Sequence, residues 1–63
     1  MNVAYVEYFF EDDGVRYLED PGSMTPEEMR AHAREAIAAG AVQVCFVDSG
    51  GSEAVFERDA FGR

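Results

Sequence analysis

The fold of this 63-residue chain is decided by residues 25–40, which read TPEEMRAHAREAIAAG. Thr25 is suited to cap a helix that begins at Pro26, and Glu28 stands where a capping box needs an acid. Gly40 predicts the end of the helix, because glycine readily adopts the left-handed conformation found there. Between these signals, helical spacing predicts one apolar face that packs on the rest of the fold: Met29, Ala33, Ala36 and Ile37.

A β-hairpin is predicted on the N-terminal side of this helix. Residues 3–10 are rich in β-branched and aromatic side chains, and Asp-Gly at residues 13–14 is a strong hairpin signal. Residues 15–19 form the expected second strand, and residues 20–23 (DPGS) the expected turn into the helix. A loop of two or four residues gives the core face Tyr8, Phe10, Val15 and Tyr17, whereas a three-residue loop reverses the assignment of the second strand.

A second hairpin is predicted on the C-terminal side. Residues 41–47 are almost continuously apolar, as expected of a central strand, and residues 48–52 (DSGGS) form a turn. Residues 53–61 alternate acidic with apolar or basic side chains, which favours a more exposed edge strand. The sequence therefore predicts one α+β domain over residues 1–63, ordered β-β-α-β-β, with one helix on one face of an antiparallel sheet.

One helix covers only one face of a four-stranded sheet, so apolar residues are expected on the opposite face. The candidates are Val3, Tyr5, Phe9, Leu18, Cys45 and Val47. Surface of this kind often marks a partner or a second copy of the chain. The alternative is that the twisted sheet curls and buries part of it.

The charge balance is strongly acidic. Thirteen Asp and Glu stand against five Arg and no Lys, giving a net charge of −8, so nucleic acid and anionic membranes should repel the chain. The 48% hydrophobic content argues against a disordered acidic tail. One cysteine excludes an internal disulfide framework, and neither a signal peptide nor a membrane-spanning apolar run is recognisable. These features favour the cytoplasm.

Residue types that carry catalysis are sparse. His32 is the only histidine and is expected to be partly exposed and loosely paired with Glu28, while Cys45 is expected to be buried in an apolar strand. No EF-hand loop is present, and Gly50-Gly51 lies between two strands, unlike a phosphate-binding loop. We therefore expect no catalytic residues, no metal, no cofactor and no enzymatic activity.

The carboxylates are the candidate functional residues. Duplex DNA carries one charge per about 1.7 Å of its axis, and alternate strand residues stand roughly 6.6 Å apart, so carboxylates on adjacent strands can imitate a phosphate backbone. A basic nucleic-acid-binding groove would attract such a surface. The alternative is that the acidity keeps a small domain soluble. The predicted partner-binding residues are Glu11, Asp12, Asp13, Glu19, Asp20, Asp48, Glu53, Glu57 and Asp59.

In size, acidity and β-β-α-β-β order, the whole chain resembles the small phage-encoded anti-CRISPR inhibitors. Several members of that group are DNA mimics that act on type I effector complexes. The resemblance implies a protein partner, namely a CRISPR effector in a bacterial host, with neither cofactor nor catalysis.

About half of the chain is also similar to the HicB-like antitoxin domain. The matching segments are residues 11–14 (EDDG), 20–22 (DPG), 25–28 (TPEE) and 33–36 (AREA). This second resemblance implies an antitoxin or another small regulatory protein-interaction domain. A homodimer is a further alternative.

Overall fold

Helix α1 spans Pro26–Ala38 in the computed structural model, which describes residues 1–62. Its start is a complete capping box: the backbone N–H of Glu28 donates to Oγ1 of Thr25 at 3.1 Å, and the N–H of Thr25 donates to Oε1 of Glu28 at 2.8 Å. At the other end, the N–H of Gly40 donates to the carbonyl of Ile37 at 3.0 Å, and φ is 119° at Gly40. The predicted helix boundaries are confirmed.

Four antiparallel strands form one sheet in the order β2-β1-β3-β4. Their bounds are β1 Asn2–Phe10, β2 Val15–Ser23, β3 Ala41–Asp48 and β4 Glu53–Glu57. Helix α1 lies across one face, here named the core face, and packs chiefly against β3. The other face, here named the open face, is covered by no element within residues 1–62. The predicted α+β fold, with one helix on one side of the sheet, is confirmed.

The core lies between α1 and the core face. Met29, Ala33 and Ile37 are its buried helical members, and Ala36 is half-buried at its margin, so the predicted apolar face of the helix is confirmed. The sheet contributes Val3, Val6, Ala41, Val44 and Phe46.

The first hairpin has a three-residue loop, which corrects the predicted core face. The N–H of Phe10 donates to the carbonyl of Gly14 at 2.9 Å, and Asp13 takes a φ of 64° between them. A type I turn followed by one left-handed residue is a common way to close such a loop. Opposed residues in an antiparallel sheet point to the same side, and Val15 pairs with Phe9. Val15 therefore lies on the open face, as does Tyr17.

A β-bulge at Ala4 turns Val3 into the core. Val3 pairs with Asp48 whereas Tyr5 pairs with Val47, so β1 has one more residue than β3 over this stretch. The extra residue interrupts the alternation of side chains. Val3 is only 2% exposed and packs beneath α1, so its expected place on the opposite face is wrong.

The predicted turn at residues 20–23 is wrong, because β2 continues to Ser23. The pairing with β1 shifts by one residue here, and Asp20 and Gly22 take positive φ values of 54° and 87°. Pro21 is tolerated in this strand because β2 is an edge of the sheet. Turn-forming residues thus build an irregular strand edge, which discourages pairing with other chains.

Strand β4 is shorter than predicted. It ends at Glu57, and Arg58–Phe61 forms a 3₁₀ turn that brings Phe61 back against the core. The Phe61 ring stacks on Phe56 with ring centroids 6.4 Å apart. Phe61 therefore belongs to a separate turn and not to β4.

Membrane crossing by a helix requires roughly 20 residues. Helix α1 has 13 residues, and across the part of the chain that the structure describes no helix is long and apolar enough to span a bilayer.

Candidate functional site

The open face of the sheet is the candidate site, and the strand register gives its composition. Each row runs across all four strands in the order β2, β1, β3, β4. The first row is Glu19, Tyr5, Val47 and Glu53. The second row is Tyr17, Glu7, Cys45 and Val55. The third row is Val15, Phe9, Gln43 and Glu57.

Four carboxylates stand on this face, one or more in every row: Glu7, Glu19, Glu53 and Glu57. Neighbouring strands are about 4.8 Å apart, so Glu19 and Glu53, on the two edge strands of one row, have backbones roughly 14 Å apart. Glu7 on β1 is the diagonal neighbour of Glu19 on the adjacent strand β2, and such neighbours stand roughly 7–8 Å apart. The negative charge is therefore spread across the face.

Arginines are absent from these three rows. Arg16 pairs with Tyr8, which places it on the core side of β2, and its guanidinium lies 5.5 Å from the ring centre of Phe10. Arg30 and Arg34 are on α1, and Arg58 is in the 3₁₀ turn. The three rows therefore hold four carboxylates and no arginine, although Arg58 directly follows Glu57 in the chain.

The hydroxyl of Tyr5 lies within the electrostatic field of neighbouring carboxylates. Desolvation raises the pKa of its hydroxyl, and the negative charges of Glu7 and Glu53 raise that pKa further. Nearby carboxylates act in this direction because they disfavour a second negative charge. The face is negative at its centre as well as at its edges.

Apolar surface is interleaved with the carboxylates. Tyr17 is 62% exposed and Val55 is 49% exposed, while Tyr5 and Tyr17 have ring centroids 6.5 Å apart. Aromatic side chains of this kind are enriched in protein interfaces. Of the apolar residues expected on this face, Tyr5, Phe9, Cys45 and Val47 are confirmed there, whereas Leu18 pairs with Val6 and lies on the core side.

Cys45 lies on the open face but is buried, as the expectation of a packing role requires. Its Sγ donates to Oε1 of Glu53 at 3.0 Å. Burial, the hydrogen bond to Glu53 and the negative charges of Glu53 and Glu7 raise the pKa of this thiol to about 12. A thiol that holds its proton so tightly is a poor nucleophile near neutral pH.

The nine predicted partner-binding carboxylates do not form one patch. Glu19, Glu53 and Glu57 are on the open face, and the other six lie in the β1–β2 loop, at the β2 bulge, at the end of β3 beside the β3–β4 turn, or in the 3₁₀ turn. The β1–β2 loop and the β3–β4 turn are at opposite ends of the sheet, because β1 and β3 run in opposite directions. The members outside the open face are Glu11, Asp12, Asp13, Asp20, Asp48 and Asp59.

Three of these six carboxylates have local partners. Oδ1 of Asp48 accepts from the N–H groups of Gly50 and Ser52 at 2.8 and 2.9 Å, so this side chain shapes the β3–β4 turn. Asp12 accepts from the N–H of Gly14 in the same way. Glu11 lies 3.5 Å from the guanidinium of Arg58. 

Glu7 stands on the open face but is absent from the predicted set of partner-binding residues. It is the single acid within β1, between Val6 and Tyr8, and its neighbours in sequence give no sign of an acidic cluster. Only the register, which sets it between Tyr17 and Cys45, connects it to the acids of the edge strands. The period-two alternation of β1 predicts that Glu7 shares a face with Tyr5 and Phe9, but it does not show which acids of other strands join it.

His32 does not pair with Glu28 as expected, because Glu28 is engaged in the capping box. Nε2 of His32 lies 2.5 Å from the hydroxyl of Tyr8, and the imidazole also packs edge-on against Phe46. Burial raises the pKa of Tyr8. His32 thus fastens α1 to β1. Within residues 1–62, no three His, Cys, Asp or Glu side chains are grouped so as to hold a metal ion.

Comparison with known proteins adds no relative to this description. No protein-family model, no curated protein and no solved structure matches the chain.

Proposed function

We propose that this chain is a non-catalytic inhibitor whose open face occupies a basic nucleic-acid-binding groove on a protein partner. The observation that carries the proposal is the separation of charge: the open face holds four carboxylates, and the arginines of residues 1–62 lie elsewhere. A surface of this sign is steered toward a positively charged groove and away from nucleic acid itself.

The apolar residues between the carboxylates favour a protein partner. Tyr17, Tyr5 and Val55 offer contact area that a simple polyanion lacks. Burying them against a protein adds affinity to the long-range attraction of the charges. The partner surface that fits is therefore basic at its rim and apolar in part.

A second copy of the chain fits the open face poorly. A symmetric dimer through this face would bring eight carboxylates together, and the three rows offer no arginine to neutralise them. Like charges placed opposite one another in an interface are strongly unfavourable. The charge pattern thus favours a different protein over self-association.

The partner class that we propose is a CRISPR effector complex of type I, inhibited in the cytoplasm of a bacterial host by a phage-encoded protein. The groove that receives target DNA in such a complex is basic, because it must hold a phosphate backbone. A rigid acidic sheet that fills the groove blocks DNA without chemistry and without a cofactor.

Competition with DNA tests this proposal. A purified type I effector complex is incubated with the full chain and then given labelled target DNA, and the mixtures are resolved by gel shift. We expect the complex–DNA band to fade as the chain is added, and excess unlabelled DNA to release the bound chain. A species that holds DNA and the chain together, or DNA binding that is unaffected, would exclude the mimic.

A regulatory interaction domain of antitoxin type is the second candidate. The exposed Tyr17 and its contact with Tyr5 favour it, since an aromatic pair can dominate recognition of a partner that is not basic. In that case Tyr17→Ser abolishes binding to the partner, whereas Glu7→Gln with Glu19→Gln leaves it intact. If the chain is instead an acidic mimic, the variant with Glu7→Gln and Glu19→Gln should lose more affinity than Tyr17→Ser.

A further inference from the structure

Three of the arginines converge on the α1 side of the sheet, around the ring of Phe61. Arg30 and Arg34, one turn apart on α1, place their guanidinium carbons 4.8 and 5.4 Å from the ring centre of Phe61. Arg58, at the start of the 3₁₀ turn, lines the same surface groove as Arg34 and Phe61. We name Arg30, Arg34, Arg58 and Phe61 the arginine cluster.

Two of the three arginines in the cluster have no carboxylate partner among residues 1–62. Neither Arg30 nor Arg34 has an acidic group within 4.0 Å among residues 1–62, although the chain has thirteen Asp and Glu. Arg58 has one, Glu11, at 3.5 Å between exposed side chains, and such pairs contribute little. Like charges four residues apart on a helix repel each other. An anionic ligand would relieve this repulsion.

The groove beside the cluster has the size and lining of a small-molecule site. It has a volume of about 420 Å³, and its walls are Arg34, Ile37, Ala38, Arg58 and Phe61. Ligand pockets commonly measure about 300–1,000 Å³ and combine apolar walls with a few placed polar groups. No carboxylate lines this groove, so an anion inside it meets two guanidinium groups and an apolar wall.

We infer that this groove binds a small phosphate monoester, with the phosphate held by Arg34 and Arg58 and the organic part lying against Ile37 and Phe61. Guanidinium groups bind phosphate oxygens through paired N–H donors, and a dianion matches two or three of them better than a single carboxylate does. Inorganic phosphate alone would leave the apolar wall unused. The proposed site includes no residue of the three open-face rows, and its ligand requires no protein partner.

The purely structural alternative is that the arginines only fasten the 3₁₀ turn to α1 by stacking on Phe61. Arg34→Lys separates the two roles. Lysine keeps the positive charge and can still place it over the Phe61 ring, so a structural role predicts only a small change in melting temperature and no ligand effect. It lacks the paired donors, so a phosphate site predicts weaker binding by an otherwise stable protein.

The test is an NMR titration of the full chain with phenyl phosphate, adenosine monophosphate and inorganic phosphate, with phenol and adenosine as uncharged controls. We expect saturable shifts around Ile37, Arg58 and Phe61, stronger binding of the two monoesters than of inorganic phosphate, and no response to the controls. Arg34→Gln should weaken binding about tenfold or more, since hydrogen bonds to charged groups are lost. Arg16→Gln is the matched control, because it removes one arginine outside the groove, and it should leave binding unchanged.

Three outcomes would overturn the inference. The first is the absence of saturable shifts at millimolar phenyl phosphate. The second is equal binding by Arg34→Gln and Arg16→Gln, which would indicate only general attraction to positive charge. The third is wild-type affinity in Arg34→Lys. The NMR titration contains no effector complex, so a negative result would not bear on the proposed inhibition. The DNA competition tests that proposal separately.

Discussion

Single residues set the chemistry of the open face, and Cys45 is the clearest case. Its thiol is buried in β3 and donates to Glu53, and both effects keep the proton on sulfur. The pKa of the thiol rises from 9.0 to about 12, so at pH 8 the folded protein holds roughly a thousandfold less thiolate than an ordinary cysteine. Cys45 is therefore a poor nucleophile near neutral pH, although cysteine is catalytic in many other proteins.

We therefore predict that iodoacetamide alkylates Cys45 very slowly in the folded protein at pH 8. The rate, followed by mass spectrometry, should rise to that of a free cysteine peptide when the protein is unfolded in urea. Alkylation of the folded protein at the rate of the unfolded one would show that the thiol is neither buried nor bonded to Glu53.

The same thiol ties stability to alkaline pH. Between pH 9 and 12 the unfolded chain releases the thiol proton while the folded protein retains it, so the contribution of Cys45 to stability falls as the pH rises through this window. Below pH 9 the thiol is protonated in both states and contributes no pH dependence. Cys45→Ala should flatten the decline of melting temperature above pH 9, and an unchanged decline would assign it to other groups.

At the scale of elements, the capped helix is the part most completely predicted from sequence. Thr25→Ala removes a side-chain acceptor for the N–H of Glu28 and should lower the free energy of unfolding by roughly 1 kcal/mol. Thr25→Ser keeps the acceptor and is the control. Urea denaturation that shows equal losses for both variants would mean that the capping box does not stabilise α1.

Docking of α1 on the sheet is tested by Ile37, which is buried in the last turn of the helix. Ile37→Ala should cost about 2–5 kcal/mol through lost burial and the cavity that remains. The exposed Ala31 in the middle of α1 provides a matched control, because Ala31→Gly has an expected cost of about 1 kcal/mol from helix propensity alone. Equal denaturation midpoints for the two variants would contradict the packing of Ile37 against the core.

Elements with irregular backbones were the ones that the sequence predicted poorly. Asp20, Pro21 and Gly22 have the composition of a turn, yet pairing with β1 continues through them as a bulged edge. The loop at Asp13 has three residues instead of two or four, which moves Val15 and Tyr17 to the other face. Local residue types set turn propensity, but pairing with a distant strand decides register.

The candidate site was also predicted only in part from the sequence, because its assembly depends on how distant strands pair. The acidity was evident from composition, and Glu19, Glu53 and Glu57 were among the predicted partner-binding residues. Their assembly with Glu7 depends on β1 lying between β2 and β3, a long-range arrangement that no local pattern encodes. The arginine cluster was missed for a similar reason, because Arg58 meets the α1 arginines only through the 3₁₀ turn.

At the scale of the whole molecule, a net charge of −8 on 63 residues makes self-repulsion significant. We predict that raising NaCl from low concentration to the molar range increases stability on the order of 1 kcal/mol, or about 4–8 °C in Tm for a chain of this size. The variant with Glu7→Gln and Glu19→Gln should show a smaller salt response. Calorimetry that found Tm unchanged or lowered by salt would contradict this.

Repulsion between the carboxylates of the open face lowers the stability of the fold. A surface that binds a basic partner is expected to have such a cost. Glu7 and Glu19 are diagonal neighbours, and no arginine stands between them. Removing both charges should therefore raise the Tm at low salt and weaken the binding of a basic partner. A gain in stability that accompanies a loss of binding is the expected sign of a functional surface.

The most direct measurement is the affinity of three proteins of defined charge for one purified type I effector complex at fixed ionic strength. They are the wild type, the variant with Glu7→Gln and Glu19→Gln on the open face, and the variant with Glu27→Gln and Glu35→Gln on α1. Both variants have the same net charge, so only the location differs. We predict that the open-face variant binds at least about tenfold more weakly and that the α1 variant binds within about twofold of wild type. Equal affinities for the two variants would contradict the assignment of binding to the open face.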